Sequence, residues 1–244
     1  APSSVETEVG GRKVKVVERT NYPFEESVEF EFKVSGAKAH TFPLHLRLPE
    51  WSKSVTVMVN GEAVAVTPVG GVAVLSRGWR SGDVVKVEFA ADIVVNYWFD
   101  GGVAVERGPL LYALKMEERW VRRDVPETDH RKIGKEFYEV FSSTPWNWGF
   151  KRSDVKAENL AKTFSYERKG EVAHYPWNVE SAPMVIKAKV HEMTTWRAYN
   201  GSVGPINYNM RGGPSEDISS EESVVELIPY GCTTLRVTLF PVRK

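Results

Sequence analysis

Three turn-rich stretches hold the side chains most suited to chemistry. STPWNWGF carries Trp146 and Trp148, HYPWNV carries Tyr175 and Trp177, and MTTWRAYNG carries Trp196 and Tyr199. Pro, Asn, Thr and Gly surround these rings, so the stretches read as loops. An aromatic face set in a loop stacks on the C–H face of a sugar ring, because the π surface is flat, apolar and faintly negative. Trp146, Trp148, Trp177 and Trp196 are therefore the candidate carbohydrate-binding residues. A second reading stays open: large rings also close the ends of a β-sandwich, where they contribute most of the buried area.

Other chemistries find less support. The five histidines, at 40, 45, 130, 174 and 191, are scattered. His40 and His45 lie five apart in a strand region, so they face opposite ways. There is no His-Glu-x-x-His zinc motif, no Gly-x-Ser-x-Gly elbow, and no glycine pair followed by the Lys-Ser/Thr of a phosphate loop. A glycosidase needs two carboxylates across a cleft. With 32 acids in the chain, some pair can always be named. Glu25-Glu26, Glu117-Glu118 and Glu221-Glu222 read as solvated charge. Cys232, the one cysteine, excludes a disulfide within the chain and a thiolate metal cluster. It stands beside a strand in LIPYGCTTLRVTLFP and reads as a small buried residue. No catalytic residue, metal site or cofactor is assigned to this chain.

Lys plus Arg equals Asp plus Glu, at 32 each. A net charge of zero gives no field to gather a polyanion, so no nucleic-acid partner is expected. No apolar run approaches the length of a membrane span. The first twenty residues lack a basic start followed by an apolar stretch, so no signal peptide is expected there. They read as a chain beginning mid-protein. The compartment stays undetermined, with bacterial cytoplasm and periplasm both compatible.

The elements that must position the aromatics have a period of two. SVEFEFKV sets Phe30, Phe32 and Val34 against Glu29, Glu31 and Lys33. FPLHLRLP alternates in the same way. Asn60-Gly61 suits a two-residue hairpin turn in which both residues take positive φ. Strand signals recur about every ten residues, the rhythm of an antiparallel sandwich. The expected fold is all-β, with two consecutive antiparallel, jelly-roll-like β-sandwiches. The first spans 1–98. The second spans 99–244, with long loops at 116–135, 142–182 and 196–220. IGKEFYEVFSS fits a helix or a strand, and SDVKAENLAKTF fits a short helix. Trp51 and Trp79, beside turns, are expected to cap the first core. VAVERGPLLYAL interrupts an apolar strand with Arg107, Gly108 and Pro109. It is expected to be architectural, a bulge or a switch between sheets.

Six stretches occur in one order: TNYPFEESVEFEF, FPLHLRLPEWSKSVTVMVNGEAV, LSRGWRSGDVVKVEF, VAVERGPLLYAL, WNWGF and PYGCTTLRVTLFP. Together they resemble the C-terminal portion of glycoside hydrolase family 127, the β-L-arabinofuranosidase-type enzymes. The resemblance implies a parent protein whose N-terminal (α/α)6 barrel carries catalysis, with a glutamate and a cysteine-rich zinc site in which one cysteine is the nucleophile. Two β-sandwich domains follow that barrel, and this chain matches only those. By that resemblance it is a non-catalytic accessory region, inactive alone. It would support the barrel of the same polypeptide and take part in a homodimer contact. The alternative is a carbohydrate-binding module that engages a glycan through its loop tryptophans.

Overall fold

The computed structural model describes residues 2–98, 101–126, 134–206 and 217–243. His130 lies outside them. Contacts divide the chain into two units, Ala1–Asp92 and Ile93–Lys244. The fold is all-β and of the sandwich type, as the alternating pattern indicates.

In the first unit the strands are β1 (Ser3–Val9), β2 (Arg12–Arg19), β3 (Ser27–Val34), β4 (His40–Arg47), β5 (Val55–Val59), β6 (Glu62–Val64), β7 (Val72–Trp79) and β8 (Val84–Phe89). Six of them pair in the order β1-β2-β3-β8-β5-β6, and β4 pairs with β7 as a second layer. The side chains that alternate inward fill the space between. Phe32, Val57, Val85 and Val87 from the larger sheet meet Leu46, Ala73, Leu75 and Trp79 from the smaller. Trp79 is fully buried, stacks on Phe32 at 4.5 Å between ring centroids, and donates its indole N–H to the carbonyl of Phe42 at 2.9 Å. The expected cap is thus part of the core itself. Trp51 is half-buried and meets Phe89 edge-on at 5.6 Å. Asn60 and Gly61 take φ of 53° and 85° in the two-residue turn between β5 and β6.

In the second unit the strands are β9 (Ile93–Tyr97), β10 (Gly102–Arg107), β11 (Leu110–Leu114), β12 (Glu118–Asp124), β13 (Glu136–Ser142), β14 (Trp148–Lys151), β15 (Phe164–Arg168), β16 (Met184–Glu192), β17 (Ala198–Tyr199), β18 (Ser202–Val203), β19 (Ser223–Pro229) and β20 (Phe240–Arg243). One short helix, α1 (Leu160–Thr163), precedes β15, inside the stretch where the sequence fits one. The ladder path runs β11-β19-β16-β14-β20-β10 and returns from β10 to β11. Six strands therefore form a closed circuit, with β9 added on β10 and β15 on β16. The β14–β20 pair is parallel, a departure from the antiparallel expectation. Met184, Ile186, Ala188 and Val190 are buried, as their alternation demands, among Tyr112, Leu227 and the ring cluster Phe150, Phe164 and Phe240.

β9 pairs with β10 from Val103↔Tyr97 to Arg107↔Ile93, within the unit Ile93–Lys244. Two further features differ from the sequence expectation. Gly108-Pro109 is neither a bulge nor a sheet switch. Arg107 pairs with Leu110, leaving a two-residue hairpin turn in which Gly108 takes a φ of 57°. A proline there costs nothing, because a turn residue's N–H has no ladder partner. Finally, the stretch expected to be an irregular loop contains β12, paired with β13 from Glu118↔Ser142 to Asp124↔Glu136. Its sequence hides the strand because cross-strand ion pairs, Arg122 with Glu136 and Arg123 with Glu139, replace a buried apolar face.

Candidate functional site

The second unit brings two of the four candidate tryptophans to one place. Trp148, at the start of β14, lines a concavity of ≈ 700 Å³. Trp177 lines an adjoining one of ≈ 550 Å³. Glu118, Trp120, Val179 and Glu180 line both. The shared wall stands at the foot of the β12–β13 hairpin.

Each ring is held rather than loose. Trp148 is half-buried, and its indole N–H donates to the carbonyl of Pro145 at 3.0 Å. Trp177 is 38% exposed and lies on the backbone of Gly231. A Cβ on Gly231 would sit 2.6 Å from ring carbon Cε3, so only glycine lets the ring settle there. Beneath it, Cys232 is buried and its thiol donates to the carbonyl of Pro176 at 3.2 Å. Burial pushes this thiol up to about 11. Among the described residues no three His, Cys, Asp or Glu side chains stand together as a metal site would require.

Trp120, which the sequence did not single out, completes the wall. It is 53% exposed and meets Tyr138 edge-on at 6.0 Å. Its indole N–H donates to Glu118 Oε2 at 3.0 Å. The other oxygen, Glu118 Oε1, accepts the N–H groups of Thr234 and Leu235 at 3.2 and 3.3 Å. One carboxylate thus ties the ring, through the hairpin, to backbone more than a hundred residues away. No local signal reveals this, because both partners are main-chain groups. Nearby, Glu226 accepts from Lys115 Nζ at 2.6 Å and stands 3.6 Å from Lys169. The hydrogen bond from Lys115 is the main reason that its carboxyl falls below the usual range.

The other two candidates lie elsewhere. Trp196 is buried, and its indole N–H donates to the carbonyl of Gly204 at 2.7 Å. Trp146 is half-buried and meets Trp196 edge-on at 5.1 Å. The face of Trp196 is spent on packing, the second of the two roles open to a large ring. The histidines are likewise dispersed. His40 Nε2 bonds the carbonyl of Val9 at 2.7 Å, and buried His191 bonds the carbonyl of Glu221 through Nδ1 at 2.8 Å.

In the first unit, the two-stranded layer leaves part of the larger sheet uncovered. Phe30, Phe89, Trp51, His45 and Arg47 line an open concavity of ≈ 630 Å³ there. No helix among the described residues is long and apolar enough to cross a membrane.

Residues 1–91 match the family model described as "Beta-L-arabinofuranosidase, GH127 middle domain". No curated protein matches the chain. Three solved structures are similar in fold over nearly all of it. A GH127 β-L-arabinofuranosidase from Geobacillus stearothermophilus T6 is 23% identical, with a TM-score of 0.61, over 98% of this chain and 32% of its own. A glycoside hydrolase is 18% identical, with a TM-score of 0.62, over 100% of this chain and 35% of its own. A GH127 β-arabinofuranosidase is 18% identical, with a TM-score of 0.59, over 99% of this chain and 33% of its own. The chain thus spans about a third of the length of the structures it resembles.

Proposed function

We propose that this chain, whose residues 1–91 match the GH127 middle domain, is the non-catalytic accessory region of a β-L-arabinofuranosidase-like glycoside hydrolase. The observation that carries the proposal is coverage. Nearly all of this chain aligns with about a third of each similar structure, leaving most of those chains unmatched. The single cysteine supports it. Cys232 is buried with its thiol on the carbonyl of Pro176, and among the described residues no three His, Cys, Asp or Glu side chains gather as a metal site would require. The open concavity of the first unit, floored by Phe30 and Phe89, suits coverage by further chain of the same polypeptide. The role is to buttress the catalytic part and to take part in dimer contacts.

Two measurements test this. Incubated alone with an aryl β-L-arabinofuranoside, the chain should release no aryl alcohol, and enzymatic release overturns the proposal. An antibody against this chain should detect a native species well above 27.5 kDa in the source organism. Sedimentation of that species reads the dimer contact.

A second reading is that the region holds a glycan for its parent enzyme. It is favoured by one observation: Trp148 and Trp177 line adjoining concavities instead of being dispersed.

A further inference from the structure

We infer that the paired concavities at the foot of the β12–β13 hairpin bind a neutral oligosaccharide of at least two sugar units, with Trp120 as the platform between them. This deepens the glycan-binding reading above and rests on it.

The first argument is exposure without freedom. Apolar surface left in water costs about 25 cal/mol per Å² relative to burial. Trp120 nevertheless shows 53% of its surface and Trp177 38%, beside half-buried Trp148. Flexible surface rings would avoid little of that cost by ordering. Here the indole N–H of Trp120 is fixed on Glu118 and that of Trp148 on Pro145, while Gly231 makes room for Trp177. The polar edges of Trp120 and Trp148 are satisfied inside the protein and flat apolar area is left outward. A ligand that offers a C–H face meets this surface without losing entropy from the rings.

The second argument is the polar complement. Among the described residues Glu180, on the shared wall, makes no hydrogen bond or ion pair. Asn178, beside it, accepts the N–H of Ser181 on its side-chain oxygen at 2.8 Å, which leaves its amide N–H groups as donors without a protein partner among the described residues. An acceptor and a donor beside aromatic platforms match vicinal hydroxyls.

The third argument is charge and size. The cations nearest the rings already have partners: Lys115 with Glu226, and Arg236 with the Tyr230 ring and the Thr233 carbonyl. The lining carboxylates Glu117, Glu118, Glu180 and Glu226 outnumber these cations and disfavour an anionic sugar, so the ligand assigned is a neutral one. Volumes of ≈ 700 and ≈ 550 Å³ fall within the span of small-molecule sites, roughly 300–1,000 Å³. Two concavities sharing one wall offer room for two or more units.

The test is calorimetric titration of the full chain with hexaoses of arabinose, xylose and glucose, and with an oligogalacturonide as the anionic control. At least one neutral hexaose should bind. Trp120→Ala and Trp148→Ala should each weaken it about tenfold, and Glu180→Gln should weaken it with an unchanged melting temperature. Trp98→Ala, which removes an exposed ring at the end of β9, should bind like the parent. If no neutral hexaose binds up to about 10 mM, the glycan reading and this site both fail. If one binds and neither tryptophan variant nor Glu180→Gln changes it, the site is overturned while the glycan reading stands. Tighter binding of the galacturonide overturns the assignment of a neutral ligand.

Discussion

The guanidinium carbon of Arg107 lies 3.7 Å from the centre of the Tyr166 ring. Arg107 ends β10 and Tyr166 sits in mid-β15, two strands that share no ladder. The contact therefore clamps the Gly108-Pro109 turn to a strand it does not pair with. Cation–π contacts contribute about 0.5–2 kcal/mol, depending on solvation. Arg107→Ala should lower unfolding stability by that amount, and Arg107→Lys by less. Hexaose affinity should not change. Loss of affinity at an unchanged melting temperature would show that Arg107 serves a ligand instead.

In the first unit, Trp79 should dominate and Trp51 should not. Trp79→Ala removes a fully buried ring stacked on Phe32 and should cost about 3–5 kcal/mol. Trp51→Ala removes a half-buried ring and should cost less. Denaturant unfolding of both variants checks the order. Equal costs would mean that Trp51 is as much part of the core as Trp79.

The Gly231–Trp177 contact predicts non-additivity. Gly231→Ala brings a methyl group against the Trp177 ring and should destabilise the second unit. In Trp177→Ala the same methyl meets no ring, so the double variant should recover most of the loss. A double-mutant cycle reads this directly. Strict additivity would place the strain of Gly231→Ala elsewhere.

Cys232 predicts an alkaline slope in stability. Its folded value is raised by burial from 9.0 to about 11, so the folded state holds the proton more tightly than the unfolded state. The contribution is complete below pH 9 and is lost as pH rises through about 11. Cys232→Ala should flatten the stability curve across that window. In the native protein the thiol should resist a disulfide reagent at neutral pH and react once unfolded.

Glu226 predicts the opposite slope. Its folded value is lowered, chiefly by the hydrogen bond from Lys115, so its contribution is present above the ordinary carboxylate value of 4.5 and is lost as pH falls below it. The pair is partly exposed, so the effect should stay below about 1 kcal/mol. Lys115→Met should reduce the acid-side slope. An unchanged slope would show that the ion pair adds nothing.

Much of the first unit is written locally. The alternation in β3 and β8 sets which side chains face inward, and Asn60-Gly61 fixes its turn, because period and turn chemistry are properties of neighbouring residues. The same alternation located β16 and the burial of Met184, Ile186, Ala188 and Val190. The single cysteine and balanced charge are likewise facts of composition. Other features rest on contacts between distant residues. β12 carries no apolar face, so only its pairing with β13 makes it a strand. β9 follows the first unit in sequence but finds its partner in β10. Trp196 and Trp148 sit in similar aromatic stretches, yet one ring is buried against Trp146 and the other is half-buried beside Trp120 on the wall of a cavity. Trp120 becomes part of that cavity because Glu118 bonds backbone at 234 and 235. Sequence spacing encodes which face a side chain takes. Which faces meet is decided by closing long loops, where the whole fold selects among many partners that the local chain cannot tell apart.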